Sequence, residues 1–204
     1  MKMPVVNVAV EGPTDLAVVS KLLDHAGLQV GIAYGQKGKA HLDSCLRGFN
    51  NSAKHRPWVV VRDLDRDASC PPGLVRTLIA RPSKWMRLRV ATHAIESWLL
   101  ADAEMLAKYL GVSQSRIPMN PDDLDDPKGS LINVARMSRR RALVDDLVPV
   151  SGHSGRVGRG YTFRITEFAS LHWRPGVARQ HSQSLKRCMA RVRELAAFDA
   201  ARPD

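Results

Sequence analysis

Short apolar runs and turn-forming residues alternate regularly through the first hundred residues. Val5-Val6-Asn7-Val8-Ala9-Val10 reads as a buried strand, and Gly12 and Pro13 punctuate the turn that follows it. From Thr14 the apolar positions fall at helical spacing through Leu16, Val19, Leu22 and Leu23, and Gly27 marks the stop. Val30, Ile32 and Tyr34 alternate as a short second strand, Gly35 to Lys39 form a loop, and a helix is expected from Ala40 to about Phe49. A third strand runs from Pro57 to Asp63. A short helix follows Pro71-Pro72-Gly73, and Arg87 to Thr92 form a fourth strand. From Glu96 an apolar helical pattern continues through Trp98, Leu99, Met105, Leu106, Tyr109 and Leu110.

The order β-α-β-α-β-α-β predicts an α/β fold of the Rossmann-like kind, a mostly parallel four-stranded sheet flanked by helices, over residues 1–112. After Gly111 the composition changes. Pro118, Pro121 and Pro127 with Asp122, Asp123, Asp125 and Asp126 make an acidic loop. Asp126 is placed to cap a helix starting at Pro127 and running to Arg139-Arg140-Arg141. Residues 151–160 form a glycine-rich basic loop, and a last helix spans about Ser182 to Phe198 with Leu185, Met189, Val192 and Leu195 on one side. Residues 113–204 are therefore expected to be a basic, mainly helical region packed on the α/β core.

Charge adds the next layer. The 204-residue chain carries a formal net charge of +11. Residues 1–135 hold 17 Lys and Arg against 14 Asp and Glu, whereas residues 136–193 hold 13 against 3. A basic field beside a part that holds most of the carboxylates suits an anionic polymer held by the one and presented to the other. No apolar run reaches the ~18 residues a membrane span needs, and the N-terminus passes directly into a strand, unlike a secretory signal. Three widely spaced cysteines, Cys45, Cys70 and Cys188, make neither a disulfide framework nor a zinc pattern, which fits a cytoplasmic protein.

Candidate chemistry gathers at the strand ends. Val59-Val60-Val61-Arg62-Asp63-Leu64-Asp65-Arg66-Asp67 places aspartates at alternate positions, on one face if the extended geometry persists. Open α/β sheets bind ligands at this edge. Glu11 with Asp15 lies beyond strand one and Glu96 beyond strand four. Neighbouring strands lie ~4.8 Å apart, so such carboxylates can share one or two Mg²⁺ or Mn²⁺ ions. Taken singly, Asp15 also suits a helix N-terminus and Glu96 a first helical turn. An EF-hand starting at Asp63 would need Gly and Glu where Ala68 and Leu74 stand. A haloacid-dehalogenase-type phosphatase reading leaves Glu11 unexplained and meets Asp67 where Thr or Val is usual. His153, His172 and His181 lack metal-ligand spacing.

Together these motifs resemble a family. Val10-Glu11-Gly12-Pro13-Thr14-Asp15 is similar to the first motif of the Toprim domain, the fold shared by topoisomerases, bacterial primases and overcoming-lysogenisation-defect (OLD) nucleases, and Val60 to Asp65 is similar to its aspartate motif. A small Toprim-like domain-of-unknown-function family related to the OLD nucleases is closer still. Its pattern matches Ile95-Glu96-Ser97-Trp98-Leu99-Leu100-Ala101-Asp102, Asp126-Pro127-Lys128 and the stretch Tyr161–Phe163, so the resemblance covers roughly residues 5–195. It implies metal ligation by Glu11, Asp63 and Asp65, with Asp15, Asp67 and Glu96 on a second metal or in support, and a catalytic cation at Lys128. Lys128 equally suits a helix-start lysine facing water.

The implied activity is hydrolysis of nucleic-acid phosphodiesters with Mg²⁺ or Mn²⁺, DNA ahead of RNA, in defence against phage or mobile elements beside an ATPase partner. Tyr34, Tyr109 and Tyr161 lack the separate domain of a strand-cleaving topoisomerase, and primase activity would need template-binding machinery for which the chain is too short. Arg139, Arg140, Arg141, Arg156 and Arg159 are the expected phosphate contacts. Two other functions compete with this one, a non-catalytic nucleic-acid-binding subunit and, behind it, a small-molecule phosphatase or phosphotransferase.

Overall fold

A computed structural model describes residues 3–152 and 154–198. Four strands, β1 (Val5–Val10), β2 (Gln29–Gly35), β3 (Trp58–Asp63) and β4 (Met86–Ala91), pair in the order β2-β1-β3-β4, every pairing parallel. The sheet order makes β1, β3 and β4 neighbours, so the acidic loops that follow them share one edge.

Period-two alternation divides the sheet into two apolar faces. Val6, Val8 and Val10 of β1 and Val59 and Val61 of β3 join the larger core, against α1 (Pro13–His25), α4 (Glu96–Leu100) and α5 (Ala103–Leu110). Ala9, Trp58, Val60, Met86 and Leu88 face the other way, against α2 (Lys39–Ser52) and Ile79, which follows α3 (Pro71–Leu78). The β-branched runs are buried almost end to end because both faces are covered. β2 is an edge strand with Ile32 and Tyr34 exposed.

The C-terminal region is helical: α6 (Pro127–Arg136), α7 (Arg141–Leu147), α8 (Tyr161–Glu167), a π-helical turn at Phe168–His172, α9 (Pro175–Ala178) and α10 (Gln183–Arg193). Its Leu131, Tyr161, Phe168, Trp173, Leu185 and Leu195 belong to the same hydrophobic cluster as the strands. Trp98 and Trp173 are fully buried and joined by a 3.0 Å hydrogen bond from the Trp173 indole to the Trp98 carbonyl. Among the described residues no helix is long and apolar enough to cross a membrane.

Three helices differ from expectation. The segment from Glu96 to Leu110 is two helices, because buried Asp102 caps α5 through Met105 N and takes the Arg174 guanidinium at 2.7 Å. The helix from Pro127 stops at Arg136, where Ser138 turns to donate to the Leu110 carbonyl, so Arg139 and Arg140 lie in a connection. The last helix is regular only to Arg193 and finishes as a 3-10 turn, Glu194–Ala197. The cap at Asp126 stands where expected, accepting from Gly129 N, and Ser182 caps the last helix by accepting from Leu185 N.

Candidate metal centre at the carboxyl edge of the sheet

Strand alternation sends adjacent residues to opposite sides at the end of β3. Asp63 continues the Val59-Val61 row toward α1 and α4, while Arg62 continues Val60 toward α2. Asp63 N donates to Glu11 Oε1 at 2.9 Å, joining the ends of β1 and β3. Asp63 Oδ1 accepts from Ile95 N at 2.9 Å, which fixes the start of α4 and so the position of Glu96. Asp15, in the first turn of α1, accepts from Gly12 N at 2.7 Å. Glu96 Oε1 accepts from the Tyr161 hydroxyl at 2.8 Å and lies 3.3 Å from Lys128 Nζ. Each of the four carboxylates thus uses one oxygen to hold its place and keeps the other.

The electrostatics are those of crowded like charges in a dry setting. Glu96 is 2% exposed, and its Oε2 is buried without a hydrogen-bond partner. Burial, then repulsion from Glu96 and Glu11, pushes the Asp15 carboxyl up to about 7. Asp63 is driven well above the carboxylate range by burial, then by Asp15, Glu96 and Glu11. Glu11 is raised too, chiefly by burial. Lys128 supplies the counter-charge: burial lowers its affinity for a proton, but Glu96 and Asp63 outweigh this and hold the ammonium above its ordinary range. The Tyr161 ring lies beneath it, 5.9 Å from Nζ to the ring centre.

Asp65 and Asp67 do not join this group. The alternation that would align them with Asp63 breaks at Asp65, whose φ is +48°. The turned chain sends both carboxylates to cations: Lys39 lies 2.8 Å from Asp65 and 2.9 Å from Asp67, and Arg62 Nη2 lies 2.6 Å from Asp67. Arg62 also makes a two-pronged pair with Asp43 of α2, both contacts 2.9 Å. Those cations hold Asp67 below the usual carboxylate range. Asp65 stays near Glu11, whose carboxyl it helps to raise.

Left-handed backbone at non-glycine residues clusters on this edge. Gln36, Asp65 and His93, each just after a strand, have φ of +61°, +48° and +61°. Asp65 N donates to the His93 carbonyl at 2.8 Å, tying two of them together. Such residues persist where surrounding structure over-determines them, commonly at functional loops.

The five arginines do not form one face. Arg139 is exposed between α6 and α7, Arg140 lines a cavity with Tyr109 and Arg164, and Arg141 pairs with Asp145 at 3.1 Å. Arg156 pairs at 3.1 Å with Asp126, two residues before Lys128, and of the five it has this link to the carboxylate group. Arg159 is exposed in the same loop, and His153 lies outside the described residues. Tyr161, Lys39 and Arg62 also belong to the site or its border, beyond the residues expected from the sequence. The Tyr161–Phe163 match pointed to Tyr161, but its contact with Glu96 spans 65 positions and has no local signature.

Among the described residues no set of three or more His, Cys, Asp or Glu side chains stands preformed as a metal cage. The donor set nevertheless suits a hard divalent cation: four carboxylates, one oxygen of each free of its positioning bond, and one buried oxygen orphaned. No protein-family model, curated protein or solved structure matches the chain.

Proposed function

We propose that the protein is a nuclease, a metal-dependent hydrolase of nucleic-acid phosphodiesters with its site at the carboxyl edge of the sheet. The carrying observation is that Glu11, Asp15, Asp63 and Glu96 act on one another electrostatically at one sheet edge, where Glu96 keeps a buried, unpartnered oxygen and has Lys128 beside it. In this reading Glu11, Asp63 and Glu96 hold Mg²⁺ or Mn²⁺, and Asp15 supports them. When bound, the ion would supply a Lewis acid for the scissile phosphate and an activated water. The chain's own residues do the rest. Tyr161 fixes the Glu96 carboxylate by its hydroxyl, Asp63 fixes α4 through Ile95 N, and Lys128 places positive charge where negative charge grows on a phosphate. Asp65 has one oxygen on Lys39 and takes no part in this ligand set. The resemblance to Toprim proteins supports the same assignment, and the basic segment 136–193 supports an anionic polymer as substrate.

The test is incubation with plasmid, single-stranded DNA and RNA in Mg²⁺ or Mn²⁺, beside Asp63→Asn and Glu96→Gln. Metal-dependent cleavage by the native protein, lost in both variants, is the expected result. Cleavage that survives both substitutions would sink the assignment. Salt-sensitive binding with no cleavage in any metal would instead make the chain the binding subunit of a complex, a role the basic segment alone can fill.

A further inference from the structure

A second site lies on the outer side of β4, away from the carboxylate group. A cavity of about 400 Å³ is bounded by β4, α3 and the first turns of α10. Three arginines reach it from three elements: Arg76 of α3, Arg89 of β4 and Arg187 of α10. Arg76 and Arg187 are exposed and make no ion pair with another described residue, and Arg89 has its Nε buried without a hydrogen-bond partner. Two nearby groups lie close to these charges; the Cys188 thiol hydrogen-bonds Arg89, and neither group forms an ion pair with any of the three arginines. The Asp122 carboxylate is taken up by Ser184 N at 2.9 Å and by the hydroxyls of Ser182 and Ser184 at 2.8 and 3.0 Å. The Cys188 thiol, close to Arg89, is pushed up to about 11 by burial and stays neutral.

Three guanidiniums gathered on one cavity repel one another, and a buried Nε–H without an acceptor is destabilising. An anion with several acceptor oxygens relieves both, and a phosphate matches the planar fork of an arginine. The lining also includes Pro71, Pro72, Val75 and Val90, so the cavity has apolar surface on which a base can lie. Its rim is rigid, since Ser184 Oγ accepts from the fully buried Trp98 indole at 2.7 Å. We propose that this cavity is a nucleotide-phosphate site, with Arg76, Arg89 and Arg187 on the phosphate and the proline–valine wall against the base. It stands whether or not the carboxylate group is catalytic. A free 5′-mononucleotide and one unit of a single strand carry the same phosphate and base, and the test separates the two sources.

Binding is measured with chelator present, so that no strand is cut, using inorganic phosphate, adenosine 5′-monophosphate and a short single-stranded oligonucleotide. Arg76→Glu and Arg187→Glu change exposed side chains, and unchanged thermal melting confirms that they fold. Arg193→Glu, an exposed arginine further along α10, is the matched-charge control. The expected result is saturable binding of the mononucleotide or the oligonucleotide, weakened at least about tenfold by Arg76→Glu and by Arg187→Glu but not by Arg193→Glu. Partial recovery in Arg187→Lys is expected as well. Mononucleotide binding identifies a free ligand, and oligonucleotide binding alone identifies a strand. The proposal is overturned if neither binds, if only inorganic phosphate binds, or if the control weakens binding as much as the two cavity variants.

Discussion

Arg62 and Asp63 are neighbours in sequence, and their substitutions should move stability in opposite directions. Asp63 sits where burial and three other carboxylates oppose its charge, so Asp63→Asn removes repulsion and keeps an oxygen for Ile95 N. The variant should melt at or above the native temperature in chelator while cleavage falls by at least about a hundredfold, which would make it a site residue held at a cost in stability. Arg62 is 4% exposed and answers both Asp43 and Asp67. Arg62→Met leaves Asp43 unpaired and Asp67 with Lys39 alone, and should lower stability by about 3 kcal/mol in urea unfolding. A variant of Asp63 less stable than that of Arg62 would mean that the charges have been read the wrong way round. At this scale Glu11, Asp15, Asp63 and Glu96 were legible, because strand period and strand-end position are properties of the sequence. Asp65 and Asp67 were not. Their placement depends on a left-handed turn at a non-glycine residue, held by the His93 carbonyl from another loop.

Between elements, the sheet and its order follow from apolar runs separated by turn residues, and all four strands lie within a residue or two of where the pattern puts them. The helical segments were less legible where tertiary polar contacts cut them. Nothing local distinguishes Asp102 from a helix-surface acid. In the fold its carboxylate is wholly buried, accepting from Met105 N and from the backbone and guanidinium of Arg174, 72 positions away. That junction ends α4, starts α5 and anchors the chain entering α9. Asp102→Ala should therefore cost about 3 kcal/mol, since it removes a cap and a pair whose arginine is partly in water, whereas Glu104→Ala should cost less than about 1 kcal/mol because Glu104 is itself exposed. Chemical denaturation of the two variants side by side decides it, and equal losses would argue that Asp102 acts only as a surface ion pair. Ser138 ends α6 in the same way, by reaching the Leu110 carbonyl, and this is why Arg139, Arg140 and Arg141 point apart instead of lining one helix.

For the whole molecule, the carboxylate group couples folding to both protons and metal. An unfolded chain titrates its aspartates near pH 4. In the folded protein Asp15 holds its proton to about 7, and Asp63 and Glu11 are raised as well. Between these limits the native state binds more protons than the unfolded state, so stability falls as pH rises. At about 1.4 kcal/mol per unit, the rise of Asp15 from 3.8 to about 7 corresponds to roughly 4 kcal/mol of stability present in acid and lost by pH 8 in chelator. A divalent ion that binds only the folded protein reverses this loss by mass action, and it competes with the same protons. Thermal melting should therefore show a metal-free protein more stable at pH 5.5 than at pH 8, and a stabilisation by Mg²⁺ or Mn²⁺ that is large at pH 8 and small at pH 5.5. Asp63→Asn should abolish most of the metal stabilisation and remove only Asp63's own share of the pH dependence, leaving that of Asp15. Equal stabilisation by metal at the two pH values, or stabilisation that survives Asp63→Asn, would place the ion elsewhere on the protein and separate the carboxylate group from its proposed chemistry.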